Sequence, residues 1–472
     1  MDINACSPAG IASGRFSAVG AQREGAPPDT APLAAFGPVT GHDGSGSPLP
    51  PVGPHDFPEA QPVHDAAPSG VSRETARLWL APHAEAAQFV VRACPSAWRA
   101  AQSWFASRLC GALGLATPTA FLVRGCSSAF DGTHAPERLY LATTYLPAYR
   151  ALGQWLETDT AWRVIDGVRG GADEACKQAR AEVHEIGQRM EQRGANAAQA
   201  RTDAQAYAAI VKARNDRRAM LCRALPDVYQ CALERHYIAA LWLGNWNLCD
   251  AAMGNIGVWR DKNDLPYIMT VDFSACLGSE VQGECDGDGV TLPRRQAFAS
   301  SEASRWPGLS GRPDMSHRSP ASHYGAVIPE GALTDLTPFR HGGHCAPFAR
   351  RLDALTPAAD GKTVFDALKD PTGVRALAAE MAYRLGRIGP SDILPWAASA
   401  HDIARAFPAD SANDGSADDP DSQAHRILSR RDCLVTLLGG TWAAQAWERL
   451  YPTRAAAIQA QQSPFLTSER GV

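Results

Sequence analysis

Apolar and polar positions alternate in short runs between residues 75 and 146, and the period then changes. "ARLWLAPHAEAAQFVVRA" reads as strand, turn and strand, ending at Arg92. "SAWRAAQSWFASRLCGALG" sets Trp98, Trp104, Phe105, Leu109 and Leu113 at helical spacing, and Gly114 suits the C-terminal cap of that helix. "TPTAFLVRG" and "ERLYLATTYL" return to strand character. Strand, strand, helix, strand, strand predicts a small α+β lobe. From about 151 to 243 the pattern turns helical. Residues 173–222, dominated by Ala, Arg, Gln and Glu, predict a solvated helical hairpin or extension, and "DVYQCALERHYIAALWLG" predicts a buried helix.

Beyond that helix stands "GNWNLCDAAMGNIGVWRDKNDLPYIMTVDFSACLG" (244–278), with acidic and amide residues around two short apolar runs. "IGVWR" and "YIMTV" read as the arms of a hairpin joined by "DKNDLP". The register expected from that loop faces Arg260 with Tyr267 and Ile256 with Val271, so that one further step sets Asn255 opposite Asp272. Paired Cα atoms in an antiparallel ladder lie about 4.5–5.5 Å apart. A carboxylate and an amide oxygen would thus meet. Residues 279–320 look loop-like, helices are expected at 347–355, 363–369 and 374–387, and 424–460 closes the chain with further helices. "ADSANDGSADDPDSQ" (409–423) reads as a flexible acidic loop.

Composition adds a leader and removes some functions. Residues 1–70 are rich in Pro, Gly, Ser and Ala, with too few large apolar residues to offset ordering entropy, and read as a disordered leader. The expected organisation is that leader, a small lobe over 71–150, and a larger, mostly helical lobe over 151–472 with the 173–222 insertion. A formal charge of −5 over 472 residues gives no global field toward nucleic acid. No apolar run approaches the roughly 18 residues of a membrane span, and no secretory signal pattern opens the chain, so a soluble protein without a transmembrane segment is expected. Twelve cysteines without a CxxC pair read as buried free thiols.

The candidate chemistry lies in 244–278. Asp250 precedes Asn255 by five residues on the loop before the hairpin, and Asp272 follows the hairpin. In kinase catalytic loops such an Asp orients the acceptor hydroxyl, the Asn binds metal, and a later Asp holds the metal that bridges the phosphates. Carboxylate and amide oxygens are hard ligands of the type magnesium takes beside phosphate and water.

The order of several segments resembles one group. "FVVRA" followed by "ASRLCGALGLATP", then "LYLATTYLPAYRALGQWL", "DAAMGN", "VDFSACLG" and "ILSRRDCLVTLL" is similar to the succession of motifs in the atypical kinases of the HipA and phosphatidylinositol 3/4-kinase-like group, over roughly residues 75–440. The resemblance implies a bilobal kinase-like fold and an ATP- and Mg²⁺-dependent phosphotransferase. It implies Asp250 as the catalytic aspartate, Asn255 and Asp272 as metal ligands, and Arg92 as the contact to the nucleotide phosphates. Ala142, Thr143, Thr144, Tyr145 and Leu146 would form the hinge against adenine. The group carries a lysine at Arg92 and a glutamate partner for it at the helix position of Gln102 or Ser103. All five lysines of this chain lie at or after Lys177. A protein Ser/Thr acceptor is the expectation; the alternatives are a pseudokinase-type binding module, a phosphoinositide kinase, and AMP transfer on a kinase fold. The leader, the missing secretory signal and the arginine-rich composition also resemble effectors delivered by type III secretion, which implies a host protein as the partner.

Other motifs carry less. "DGKT" (360–363) lacks the earlier glycine of a phosphate-binding loop, because Thr356 stands there, and reads as a turn. "ECDGDGVTLPRR" ends on Arg295 where a calcium loop needs Glu, and "HGGHC" (341–345) lacks a fourth zinc ligand. His236 reads as a satisfied core histidine, and the tryptophans at 79, 98, 104, 242 and 246 as packing residues.

Overall fold

Strand character between residues 76 and 144 is used to build one antiparallel sheet. The computed structural model describes residues 76–79, 89–94, 96–118, 120–126, 137–144, 146, 149–194, 204–245, 248, 253–260, 266–274, 276–277, 348, 351–352, 355, 361–407 and 420–466. Strands β1 (Ala76–Trp79) and β2 (Phe89–Ala93) precede helix α1 (Ala97–Ala112), and β3 (Ala120–Cys126) and β4 (Glu137–Thr144) follow it. Their order in the sheet is β1-β2-β4-β3, with Arg92 of β2 paired between Ala76 and Leu141. Ser96 caps α1 by accepting the Arg99 N–H at 3.2 Å. The helix ends in a Schellman turn: Gly114, at φ +72°, donates its N–H to the Gly111 carbonyl, and Leu115 donates to Cys110. A Cβ at Gly114 would also lie 2.7 Å from Nη1 of Arg384, so both conformation and space require glycine. Almost every residue of α1 is buried, between β3 and β4 on one side and a later helix on the other.

A second sheet carries the hairpin. Strand β5 (Arg150–Ala151) leads into α2 (Leu152–Trp155), α3 (Asp159–Arg169), α4 (Glu174–Gly194), α5 (Ala204–Arg223) and α6 (Asp227–Leu243), and then into β6 (Ile256–Arg260) and β7 (Pro266–Thr270). Its strand order is β5-β6-β7. β5 approaches β6 so closely that a Cβ at Gly257 would stand 2.2 Å from the Arg150 carbonyl oxygen. Helices α4 and α5 pack together as the expected hairpin, and Arg214 and Arg218 of α5 both bond Glu157 at its base. Helices α7 (Gly361–Leu368), α8 (Val374–Gly386), α9 (Pro390–Arg405), α10 (Pro420–Leu437), α11 (Gly440–Leu450) and α12 (Pro452–Leu466) complete an α+β chain that is mostly helical.

One buried charge cluster fixes α6 within this frame. Glu380 of α8 accepts from Nε and Nη2 of Arg235 at 3.0 and 2.8 Å, and from Nε of Arg384 at 2.9 Å. Arg384 also donates to the Leu113 carbonyl at the end of α1, at 2.7 Å. Burial opposes charge on Glu380, yet the two guanidinium groups outweigh it and hold the carboxyl down at about 2. α1, α6 and α8 therefore meet at a single carboxylate. Trp242 of α6 adds a bond from its indole N–H to the Ile427 carbonyl in α10.

Several expectations need correction. The hairpin arms run one residue earlier on the second strand: Ile256 pairs with Thr270 and Arg260 with Pro266. β7 is an edge strand, and its first position tolerates proline because no ladder N–H is needed there. The loop is thus 261–265, and Val271, not Asp272, is the cross-strand partner of Asn255; the Val271 N–H donates to the Asn255 carbonyl at 3.1 Å. The segment "DGKT" is no isolated turn, since Gly361 to Thr363 open α7. α9 is an addition: Pro390 occupies its first turn, where the missing N–H costs nothing, and Pro395 lies inside it. The acidic stretch ends sooner than 423, because α10 begins at Pro420. Of 347–355, residue Phe348 and the pair Arg351 and Leu352 form turn and short 3₁₀ structure. The leader, 279–320, "ECDGDGVTLPRR" and "HGGHC" lie outside the described residues.

Removing one partner of a buried ion pair leaves an uncompensated charge, at a cost of about 3–5 kcal/mol. Replacing Glu380 with Ala strands Arg235 and Arg384 together. Denaturant unfolding of that variant is expected to show a stability loss of this size, against little change for Glu174→Ala, whose exposed partner Lys177 stays hydrated.

Candidate active site

Two elements far apart in the sequence bring their charges together. Arg92, in the middle of the first sheet, extends to Asp272, two residues after the end of β7, and its Nη1 donates to Oδ1 at 2.8 Å. The pair spans 180 residues of chain. The side chains are 17% and 10% exposed, which leaves the pair reachable from solvent while most water is displaced. Oδ1 also accepts the Ser274 N–H at 2.8 Å. The Ser274 side chain also bonds this carboxylate, and among the described residues Nε and Nη2 of Arg92 make no hydrogen bond.

The local electrostatics keep this carboxylate charged. Burial opposes ionisation of Asp272, but the Arg92 charge and the Ser274 bonds outweigh it and hold the group below its usual value of 3.8. The stabilisation it contributes is therefore complete above that value and is lost as pH falls through the lower folded pKa. Neighbouring thiols respond in the opposite direction. Burial pushes Cys94 up to about 11 despite Arg92, and burial with the Asp272 charge holds Cys276 well above its usual value. Both stay protonated at neutral pH; Cys276 is buried and Cys94 half-buried, and both are free thiols.

Asn245 anchors Asp272 from behind. It follows the C-cap of α6, and its N–H closes on the Ala240 carbonyl at 2.8 Å. Its Nδ2 donates to the Asp272 main-chain carbonyl at 3.0 Å. The residue is 1% exposed, and its Oδ1 is buried with no hydrogen-bond partner. Asn245 is not singled out by sequence reasoning; its signal is a polar residue directly after the glycine that ends a buried helix. His236 of α6 supports the other arm. Its two ring nitrogens contact the Ile268 carbonyl at 3.1 Å and the Thr270 hydroxyl at 2.8 Å, so it is the satisfied core histidine expected.

The remaining expected residues divide into those beside this pair and those beyond the described chain. Asn255 is buried directly before β6, and Asp272 lies one step past its ladder partner. Ala142, Thr143 and Thr144 are the last residues of β4, opposite Val91, Val90 and Phe89. Leu146 packs with Tyr149 and Val271 onto a small apolar cluster of Ala116, Tyr267 and Met269. Asp250 and Tyr145 lie outside the described residues. At the helix position where a glutamate partner for Arg92 was sought, Gln102 instead accepts from Arg99 at 3.2 Å, and the Ser103 hydroxyl donates to the Arg99 carbonyl. Arg92 turns to Asp272 instead.

Among the described residues no group of three or more His, Cys, Asp and Glu side chains is placed to hold a metal ion. Asp272 is a single carboxylate paired with Arg92, and Asn255 stands one position before β6. Magnesium is commonly held by one or two such protein oxygens, with phosphate and water filling its octahedron.

His236 makes one pH effect separable. Burial lowers its pKa from 6.5 to about 4, so the unfolded chain binds the proton first. Its stabilisation is fully present above 6.5 and is lost as pH falls toward 4. The stability difference between wild type and His236→Gln, measured by urea unfolding, is expected to shrink by about 2 kcal/mol from pH 7.5 to pH 5. No family model, curated protein or solved structure matches the chain, so its function rests on the chemistry of these residues.

Proposed function

We propose that the chain is an ATP- and magnesium-dependent phosphotransferase of bilobal, kinase-like architecture, acting on a protein hydroxyl. The observation that carries this reading is the Arg92–Asp272 pair. It unites a fixed cation on one sheet with a carboxylate just past the hairpin of the other. A guanidinium with free Nε and Nη2 donors matches phosphate oxygens. Asp272 Oδ2 and Asn255 would hold the magnesium ion, which when bound neutralises charge on the transferring phosphate. Asp250, five residues before Asn255, would orient the acceptor hydroxyl. The end of β4 with Leu146, above the apolar cluster of Tyr267 and Met269, would receive a purine ring. Asn245, bonded to the Asp272 carbonyl, holds the segment in register with α6.

A second reading, a pseudokinase-type binding module, has its own observation. Arg92 stands where the resembled group has lysine, and Gln102 and Ser103 bond within their own helix. Nucleotide binding without turnover would be its signature.

Incubation with γ-³²P-labelled ATP, magnesium and a mixed protein acceptor separates the two. The wild-type chain is expected to transfer label, and Asp272→Ala to lower transfer about a hundredfold or more, the scale on which loss of one preorganised charge contact slows a reaction. Thermal stabilisation of wild type by ATP with no transfer selects the binding module. Absence of both ends the nucleotide reading.

A further inference from the structure

We propose that the cleft between α3 and the α4–α5 hairpin binds an acidic peptide segment of a partner protein, whose carboxylate meets Arg214. The cleft holds about 870 Å³, within the range of pockets that take organic ligands. Its lining shares no residue with the Arg92–Asp272 pair, so it does not depend on the phosphotransfer reading. One wall is a face of α3, with Asp159, Trp162 and Asp166 at helical spacing. The other is a face of α4 carrying Arg180, His184 and Gly187, and α5 adds Arg214. A groove walled by two helices suits a segment of chain lying along it.

Arg214 sets the charge of the occupant. Its Nε and Nη2 donate to the two oxygens of Glu157 at 2.7 and 2.5 Å, but Arg218 donates to the same carboxylate at 2.7 Å. Glu157 is therefore shared between two guanidinium groups. The remaining nitrogen of Arg214, Nη1, meets a weak acceptor, the Met190 thioether at 3.4 Å. With side chains 22% and 19% exposed, Arg214 and Glu157 are poorly screened by water yet within reach of a ligand. The carboxylates of the α3 wall are engaged elsewhere: Asp159 pairs with Arg180, and Asp166 accepts the Ala172 N–H at 2.9 Å. Trp162, half-buried with the Arg180 guanidinium 5.1 Å from its ring, supplies an aromatic wall for an apolar neighbour of the bound acid.

Gly187 keeps the approach to Arg214 open. Glycine inside a helix weakens it relative to alanine, and this one has no positive φ to justify it. Space does not require it either, since a Cβ there would meet only Arg214 Nη2, at an ordinary 3.8 Å. A larger side chain at 187 would extend beside Arg214 into the cleft.

Arrays of short peptides, random except for one fixed Glu, Gln or Lys, are the probe, and retention of the fluorescently labelled full chain is the readout. Wild type is expected to favour the Glu pools over the Gln and Lys pools about tenfold or more, with the difference falling as salt rises. Arg214→Gln should remove the preference while Arg218 still holds Glu157. Gly187→Leu improves helix propensity, so it should melt at or above the wild-type temperature and yet lose retention on the Glu pools. Arg217→Gln, whose partner Glu182 lies outside the cleft, should keep the preference. Absence of a Glu preference in wild type overturns the proposal, as does a preference that survives Arg214→Gln or a folded Gly187→Leu. Loss of the preference in Arg217→Gln also overturns it, because diffuse surface charge is then the cause. A preference for the Lys pools overturns it in favour of Asp159 and Asp166.

Discussion

The 2.8 Å contact between Arg92 and Asp272 is the constraint on which the candidate site depends. Neither partner belongs to the other's sheet, and each needs the other to be tolerated where it is. An unpaired carboxylate in so little water would be driven toward its neutral form, and an unpaired guanidinium would draw water into the interior. Paired, they clamp β2 to the segment that leaves the hairpin. Breaking either half removes both a charge and a geometric tie.

The surrounding structure exists to hold those two backbones still. Glu380 collects Arg235 from α6 and Arg384 from α8, and Arg384 reaches the end of α1 through the Leu113 carbonyl. α1 packs against β3 and β4, strands of the same sheet that carries Arg92. α6 ends at Asn245, whose amide holds the Asp272 carbonyl, and His236 of the same helix bonds the second arm of the hairpin. Both halves of the ion pair are thereby referred to one buried carboxylate. Gly114 and Gly257 are two of the places where this arrangement leaves no room for a Cβ.

Much of the fold could be read from periodicity. The order strand, strand, helix, strand, strand, the solvated pair α4 and α5 and the buried α6 follow from spacing alone, because burial and the helical or strand period leave the same imprint. The hairpin was legible but its register was not. Pro266 marks a loop by propensity, yet at the start of an edge strand it costs no hydrogen bond, and that single residue moved Asp272 off Asn255. α9 was hidden by Pro390 and Pro395 for a similar reason: propensity weighs prolines without knowing where in a helix they fall. The partner of Arg92 lay beyond any local rule, since nothing in "FVVRA" announces a carboxylate 180 residues away. Only the resemblance grouped the two, and it did so as separate ligands of one nucleotide rather than as a pair.

The central claim is that Arg92 and Asp272 form one phosphate- and metal-binding unit. Equilibrium binding of ATP to the full chain, with and without magnesium, tests it most directly when wild type is compared with Asp272→Asn. The account predicts that magnesium tightens ATP binding to wild type about tenfold or more, and that Asp272→Asn removes this magnesium dependence while still binding ATP through Arg92. Equal magnesium dependence in the two proteins, or no ATP binding by either, would contradict it.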